Sequence, residues 1–191
     1  KDVTNYFSGI LAVNDNQYQK SYNYLKFLNN LENSHYNYSR YYHYSLIALK
    51  KFKDAANYST KLEKKKIDNF ESNLISAIYH LEREDFDKAL IYSEKLKNKS
   101  QPGSIQNLIS ASLNSWLNFK NTSDLTTALT LLEDMPKKFE NLKKIQKTFA
   151  YCYFDSSQSD EMFKKLTSDS DINYSRYFFF HANYLISKNK K

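Results

Sequence analysis

Histidine and cysteine are the residue types in this sequence that could hold a metal ion or act as a nucleophile. The four histidines are His35, His43, His80 and His181, and the single cysteine is Cys152. No two histidines stand three or four residues apart, the helical spacing that brings two imidazoles to one metal ion. The pattern favours packing or surface roles for these histidines, and we predict no metal site.

Nucleophilic and phosphate-transfer chemistry lack their sequence signatures. Cys152 lies among aromatic residues in FAYCYFD, a setting that predicts a buried and unreactive thiol. Phosphate-binding loops and dinucleotide fingerprints need several glycines, and the chain has two. We therefore expect no catalytic residue, no cofactor and no enzymatic activity.

Charge gives little information about a partner. The net charge is +7, and basic residues are spread along the chain. Lysines such as Lys64 and Lys99 fall at predicted helix ends, where a cation is favourable. A basic helix face could bind phosphate, but we favour a solvated face and expect no nucleic acid. That face comprises Lys137, Lys138, Lys143, Lys144 and Lys147.

An internal repeat organises the first half of the chain. Tyr18, Phe52 and Phe86 recur at one constant interval, and each is followed three residues later by a small residue and ten residues later by Leu. Offsets of three and seven share one face of a helix. A second apolar helical pattern precedes each of these segments, so the unit is helix, short polar turn, helix.

This 34-residue helix-turn-helix unit resembles the tetratricopeptide (TPR) family, and the segment EREDFDKALIYSEKL over 82–96 is the closest match. The resemblance implies an all-α, right-handed α-α superhelix of about five hairpins plus a final helix, within a single domain over 1–191. The family's early Trp and Leu are missing, and His43 stands at a position that usually holds a small residue. The expected elements are regular repeats at about 3–34, 36–68 and 70–100, divergent hairpins at 103–135 and 137–168, and a last helix at 171–188.

The last helix is apolar on more than one face, whereas the terminal helix of a solenoid carries a polar outer face. We expect the region of Phe178–Phe180 to pack on further repeats or on another subunit. The chain would then be the N-terminal part of a longer repeat protein.

The resemblance also implies a function. In TPR-like arrays the first helix of each pair lines a concave groove that binds extended peptides or helices of other proteins. The function expected here is a non-enzymatic interaction scaffold that binds a protein or peptide partner. Carried over by position, the groove candidates are Tyr6, Asn37, Arg40, Tyr44, Glu71, Leu74 and Ile78.

Two alternatives stay open at this level. The chain could be a helical-repeat module that binds RNA or another polyanion, or an accessory domain of a larger enzyme. No stretch approaches the roughly 20 apolar residues of a membrane span. The compartment is open between periplasmic export and the cytoplasm.

Overall fold

The structure, a computed structural model, describes residues 2–28, 30–122, 124–168 and 175–188. It is all-α: within those residues there are eleven α-helices and no strand. The helices are α1 (Asp2–Asn14), α2 (Tyr18–Leu25), α3 (Tyr36–Ala48), α4 (Phe52–Lys64), α5 (Phe70–Glu82), α6 (Phe86–Lys99), α7 (Ile105–Thr122), α8 (Leu125–Glu133), α9 (Glu140–Tyr153), α10 (Ser159–Ser168) and α11 (Ser175–Ser187).

The described residues fall into two compact units, one ending at Lys99 and the other beginning at Ser100. Within each unit consecutive helices pack against one another. The assignment of 1–191 to a single domain stays a prediction.

In the first unit the helices themselves recur with the period of the sequence. The first helices of the three pairs, α1, α3 and α5, are equal in length and begin at Asp2, Tyr36 and Phe70. The second helices, α2, α4 and α6, begin at the three aromatic residues that define the sequence period. These aromatic residues therefore occupy the same place, the first residue of the second helix.

The small and leucine positions of the repeat are buried where the helices pack together, at an interface that we call the seam. At the start of the chain, Gly9 faces Leu25 so closely that an added Cβ would lie 2.5 Å from a Leu25 methyl carbon. A side chain larger than Gly would therefore require the buried Leu25 side chain to shift. The buried members of the repeat are Ser21, Ala55 and Ala89, and Leu28, Leu62 and Leu96.

The turns inside the three hairpins have the same backbone conformation. Asn16, Lys50 and Glu84, which are equivalent positions of the repeat, have φ values of 59°, 58° and 58°. Around each, an amide donates to a carbonyl five residues earlier, as from Lys51 N to Leu46 O at 2.9 Å. This is the hydrogen bond of a Schellman helix end, in which Gly usually takes the left-handed position. Sparse glycine thus does not prevent tight turns here, because other residues adopt the left-handed conformation.

Gly at these turns should stabilise the fold. We expect Lys50→Gly and Glu84→Gly each to raise the free energy of unfolding by about 0.5–1 kcal/mol, because Gly removes the left-handed strain of an L residue. Glu84→Val should lower it, since a β-branched side chain fits that conformation worst. Urea unfolding followed by circular dichroism measures the differences; a loss of stability in both Gly variants would contradict the expectation.

A buried carboxylate, that of Glu32, forms ion pairs that hold the connection between the first two hairpins against α4. Glu32 is 5% exposed, and Lys61 Nζ and Lys65 Nζ of α4 and its C-terminal end both lie 2.8 Å from its Oε1. Burial works to raise the pKa of the Glu32 carboxyl, but the hydrogen bonds from the two lysines prevail and lower that pKa below its ordinary value. The cluster therefore joins the 3-10 turn Leu31–Asn33 to the second hairpin.

His43 fills the interior of the second hairpin. Its Nε2 lies 3.0 Å from Ser59 Oγ, and that hydroxyl donates to the Ala55 carbonyl oxygen at 3.1 Å. Since the serine proton is used there, Nε2 is the donor and Nδ1 is the bare acceptor, buried without a hydrogen-bond partner. Burial lowers the pKa of His43 from 6.5 to about 4, against a small opposing effect of the Ala55 backbone. His43 is therefore neutral in the fold at ordinary pH.

The second unit keeps helical hairpins but loses the regular period. α7 runs from Ile105 to Thr122, and a 3-10 turn over Lys137–Phe139 precedes α9. Phe119 and Phe163 are fully buried in its core. Of the last helix predicted at 171–188, the structure describes Ser175–Ser187 as α11, and 171–174 lie outside the described residues.

Candidate functional site

Two helices of the first unit expose the stripes that form the candidate site. On α3, Arg40, Tyr44 and Ile47 stand at i, i+4 and i+7 and so share one face. On α5, a capping box between Asn69 and Ser72 fixes the first turn. The stripe that this turn starts consists of Glu71, Ile75, Ile78 and Glu82.

An apolar pocket lies where α3, α4 and α5 meet. Ile47 comes from α3, Phe52 from the start of α4, and Ile75 and Ile78 from α5. Its volume is about 260 Å³, below the roughly 300–1,000 Å³ of pockets that hold drug-sized molecules. The size therefore suits one apolar side chain of a larger partner.

The wall of this pocket is held by an arginine. Arg83 Cζ lies 3.6 Å from the centre of the Tyr79 ring, and Arg83 Nη1 lies 2.9 Å from Glu82 Oε2. Tyr79 and Glu82 both line the pocket. The stacked cation favours one position of the Tyr79 ring on this wall.

A polar recess of about 430 Å³ lies between α3 and the end of α1. Arg40 and Tyr44 line it together with Asn14, the last residue of α1, and Asn16 in the turn that follows. The Tyr44 ring packs edge-on against Tyr18, with centroids 5.7 Å apart. The recess can offer guanidinium, carboxamide and phenol groups to a partner's polar groups.

Arg40 and Glu71 form a loose bridge between the two stripes. Arg40 Nε lies 3.8 Å from Glu71 Oε1, and the Arg40 side chain is 63% exposed. The other carboxylate oxygen of Glu71 is buried and has no hydrogen-bond partner. Because Arg40 is largely exposed and the two groups are 3.8 Å apart, the pair contributes little to stability, and Arg40 is available to a competing carboxylate.

The structure brings four of the seven predicted site residues together. Arg40 and Tyr44 lie on the α3 stripe, and Glu71 and Ile78 lie on the α5 stripe. Leu74, also on α5, is half-buried.

The remaining two candidates lie apart from the pocket walls. Asn37 is exposed in the first turn of α3. Tyr6 is half-buried on α1, packs against the core and has its ring 5.4 Å from that of His35. These two line neither depression.

Sequence reasoning missed five pocket residues: Ile47, Phe52, Ile75, Tyr79 and Glu82. For the four apolar ones the reason is that a buried and a half-exposed helix face have the same apolar spacing. Ile47 carries the one usable signal, since it extends the Arg40–Tyr44 stripe by another helical turn.

The tyrosine-rich segment over 35–45 divides between interior and surface. Tyr38 and Tyr42 stack at 5.9 Å inside the hairpin, and Tyr42 meets Tyr58 edge-on at 4.9 Å. Burial raises the pKa of Tyr42 to about 12 and the pKa of Tyr38 still further. Tyr44, by contrast, is 53% exposed. Tyr38 and Tyr42 therefore stabilise the fold, whereas Tyr44 is open to a partner.

The basic face predicted on α9 is partly neutralised. Lys143 is buried, and its Nζ lies 3.3 Å from both Glu133 and Glu140 carboxylate oxygens. Lys147 also pairs with Glu133. These lysines hold α8 and α9 together, so they offer less charge to a polyanion than the sequence indicated.

Histidine–aspartate pairs join consecutive helices without forming a metal site. His80 Nδ1 lies 3.1 Å from Asp85 Oδ2, and His181 Nε2 lies 2.7 Å from Asp160 Oδ1. Burial raises the pKa of the Cys152 thiol, with Asp155 adding to the effect. In the described part of the chain, no three His, Cys, Asp or Glu side chains gather where a metal ion could bind.

No family model, curated protein or solved structure matches the chain. Separately, no helix in the described ranges is both long and apolar enough to cross a membrane.

Proposed function

We propose that the first unit is a protein-binding module that holds a segment of a partner protein against α3 and α5, without catalysing a reaction. The observation that carries this proposal is the solvent-open apolar pocket of Ile47, Phe52, Ile75 and Ile78. Exposed apolar side chains are common singly, but a contiguous group around a concavity is typical of an interaction site.

We further propose that the three hairpins of this unit stack as a right-handed, TPR-like superhelix. Support comes from the regular recurrence of the helices and from the order of contacts. α2 packs on α3, α4 packs on α5, and the first helices α1, α3 and α5 also contact one another in sequence. In such a stack the first helices lie side by side and line one continuous surface.

The binding mechanism follows from the two depressions beside α3. A large apolar side chain of the partner enters the pocket, where it leaves water against apolar walls. Seven residues separate Ile47 from Arg40, about 10 Å along a helix. A carboxylate of the partner at that distance can displace Glu71 as the neighbour of Arg40, while Tyr44 supplies flat contact area. Because the pocket walls belong to packed helices, we expect the partner segment to carry most of the loss of conformational entropy.

Ile78→Glu should abolish most of this binding. We expect a loss of affinity of about tenfold or more for peptides selected on the wild-type protein from a display library, because the carboxylate would enter an apolar pocket. Fluorescence polarisation with the selected peptides measures the change. Arg40→Ala combined with Tyr44→Ala should lower the affinity for the same peptides.

Ile91→Glu is the matched control. Ile91 is 51% exposed and Ile78 is 52% exposed, both lie in the first unit, and Ile91 does not line the pocket. Equal affinity losses in the two variants, or unchanged affinity in Ile78→Glu, would overturn the groove assignment.

A further inference from the structure

One face of α1 presents two large apolar side chains to solvent. Residues at i, i+3, i+4 and i+7 share a helix face, and the face in question, which we call the α1 face, consists of Thr4, Phe7, Ser8 and Leu11. Phe7 is 58% exposed and Leu11 is 62% exposed. Large apolar side chains that are exposed next to one another are typical of an interaction surface.

The equivalent face of α3 is covered by the second helix of the preceding hairpin. One period after the α1 face, the sequence places there Tyr38, Tyr41, Tyr42 and Ser45. The Tyr38 hydroxyl donates to the Leu25 carbonyl oxygen at 2.9 Å. Ser45 Oγ lies 2.8 Å from Ser21 Oγ, and both serines are buried. Because residue numbers rise along α2 where they fall along α3, α2 crosses this face antiparallel.

The equivalent face of α5 has nearly the same residue types as the α1 face. Its members, in the same order, are Ser72, Ile75, Ser76 and Tyr79. Each of the two faces therefore has a hydroxyl residue, a large apolar residue, a serine and a second large side chain. Ser72 is 1% exposed and Ser76 3%, and Ile75 packs against the core cluster that contains Ala55 of α4. On α5 these residue types are packing residues, since α4 packs against α5.

Charge favours an antiparallel helix with the residue pattern of α4. Between Val3 and Asn14 the sequence contains no charged residue, so no charge on the α1 face has to be buried. The first turn of α1 carries Asp2, and the last turn of α4 carries Lys61 and Lys64. An antiparallel helix with this pattern brings its last turn close to the start of α1, where the opposite charges attract.

We propose that the α1 face binds the second helix of one further hairpin of this repeat, an α4-like helix that runs antiparallel to α1 and continues the period before it. By equivalence with the contact between Ser21 and Ser45, the small residue of that helix lies opposite Leu11. Leucine fills more space than serine, so we expect Ala or Gly at this position of the occupant, as Ala55 is in α4. The proposal uses contacts inside the first unit and does not rest on the proposed groove.

A chain lengthened by one period tests the proposal. A second copy of residues 36–69, joined before Asp2 in place of Lys1, keeps the register of the repeat and supplies a copy of α4. In a Cys152→Ser background, Leu11→Cys should react with a maleimide about tenfold or more slowly in the lengthened chain than in the original one, because the added helix covers it. Ile91→Cys, at a position that is 51% exposed, is the matched control and should react equally in both chains. Equal reactivity of Leu11→Cys in the two chains would overturn the proposal.

A second variant separates packing on the α1 face from simple attachment of a hairpin. Phe7→Cys should also be protected from the maleimide in the lengthened chain. Adding Leu11→Glu should return its reactivity to that of the original chain, because the carboxylate would be buried beneath the added helix. Ile91→Glu is the control for an added charge and should leave the protection unchanged. Protection that survives Leu11→Glu, or that Ile91→Glu removes equally well, would contradict the proposed contact.

Discussion

Replacing Lys61 and Lys65 together by Met should lower the free energy of unfolding by about 3 kcal/mol at neutral pH. Both ammonium groups lie 2.8 Å from the same oxygen of Glu32, whose side chain is 1% exposed. Without them a buried carboxylate stays in the fold with no counter-charge. The lysines themselves are partly exposed, so the loss comes from the carboxylate left behind.

The pH dependence should change sign at this site. In the wild type the pKa of Glu32 is lower in the fold than in the unfolded chain. Ionised Glu32 therefore adds to the free energy of unfolding at neutral pH, and this contribution is lost as pH falls through the folded pKa. In the double variant burial, the largest influence on this carboxyl, is opposed only by a backbone hydrogen bond, so the pKa of Glu32 should be raised. The penalty is then present at neutral pH and is relieved by acid. Urea unfolding at several pH values measures both trends.

Two controls separate this effect from a general loss of positive charge. Lys64→Met with Lys66→Met removes two exposed cations from the same region and should change stability by less than about 0.5 kcal/mol. Adding Glu32→Gln to the Lys61 and Lys65 variant should recover part of the loss, because an amide is cheaper to bury than a carboxylate. Failure of both expectations would show that the cluster does not carry the stability.

The second large effect is a loss of folding stability at low pH that is caused by the buried His43. The pKa of His43 falls from 6.5 in the unfolded chain to about 4 in the fold. As pH falls, the unfolded chain therefore binds the proton on His43 at a higher pH than the folded chain does. The contribution of neutral His43 to the free energy of unfolding is complete above pH 6.5 and declines toward pH 4. A shift of this size corresponds to about 3 kcal/mol. We expect most of that decline to be visible in the unfolding free energy over this range.

His43→Leu should remove this part of the acid sensitivity. The hydroxyl of Ser59 keeps its bond to the Ala55 carbonyl oxygen, so no buried donor is left unpaired. We expect a loss of about 1 kcal/mol at about pH 7 and a flatter profile at lower pH. His35→Leu replaces an exposed histidine and should keep the wild-type slope. The same steep slope in His43→Leu would place the acid-sensitive group elsewhere.

The repeat was predictable because the same residue types recur at a regular spacing along the sequence. Tyr18, Phe52 and Phe86 begin helices where the pattern placed them, and the buried alanines and leucines follow from offsets of three and seven. The left-handed turn residues were not predictable. Lys50 and Glu84 give no local signal for that conformation, which the packing of the flanking helices imposes.

The candidate site was predictable in part for a similar reason. Arg40 and Glu71 come from successive repeats, and the recurrence of the first helix placed both on one surface. The pocket wall at Phe52 depends instead on how three helices meet. Glu32 illustrates the same limit, because its partners Lys61 and Lys65 read as helix-end cations until the fold brings them to it.

The identical turn geometry at Asn16, Lys50 and Glu84 has an evolutionary consequence. Gain or loss of one whole period leaves every seam residue opposite its usual neighbour, whereas any other length would rotate apolar positions into water. Duplication of a gene segment encoding one such period would therefore lengthen the array, and with it the proposed binding surface, without redesign of the interior. Such a chain can change its length by copying units.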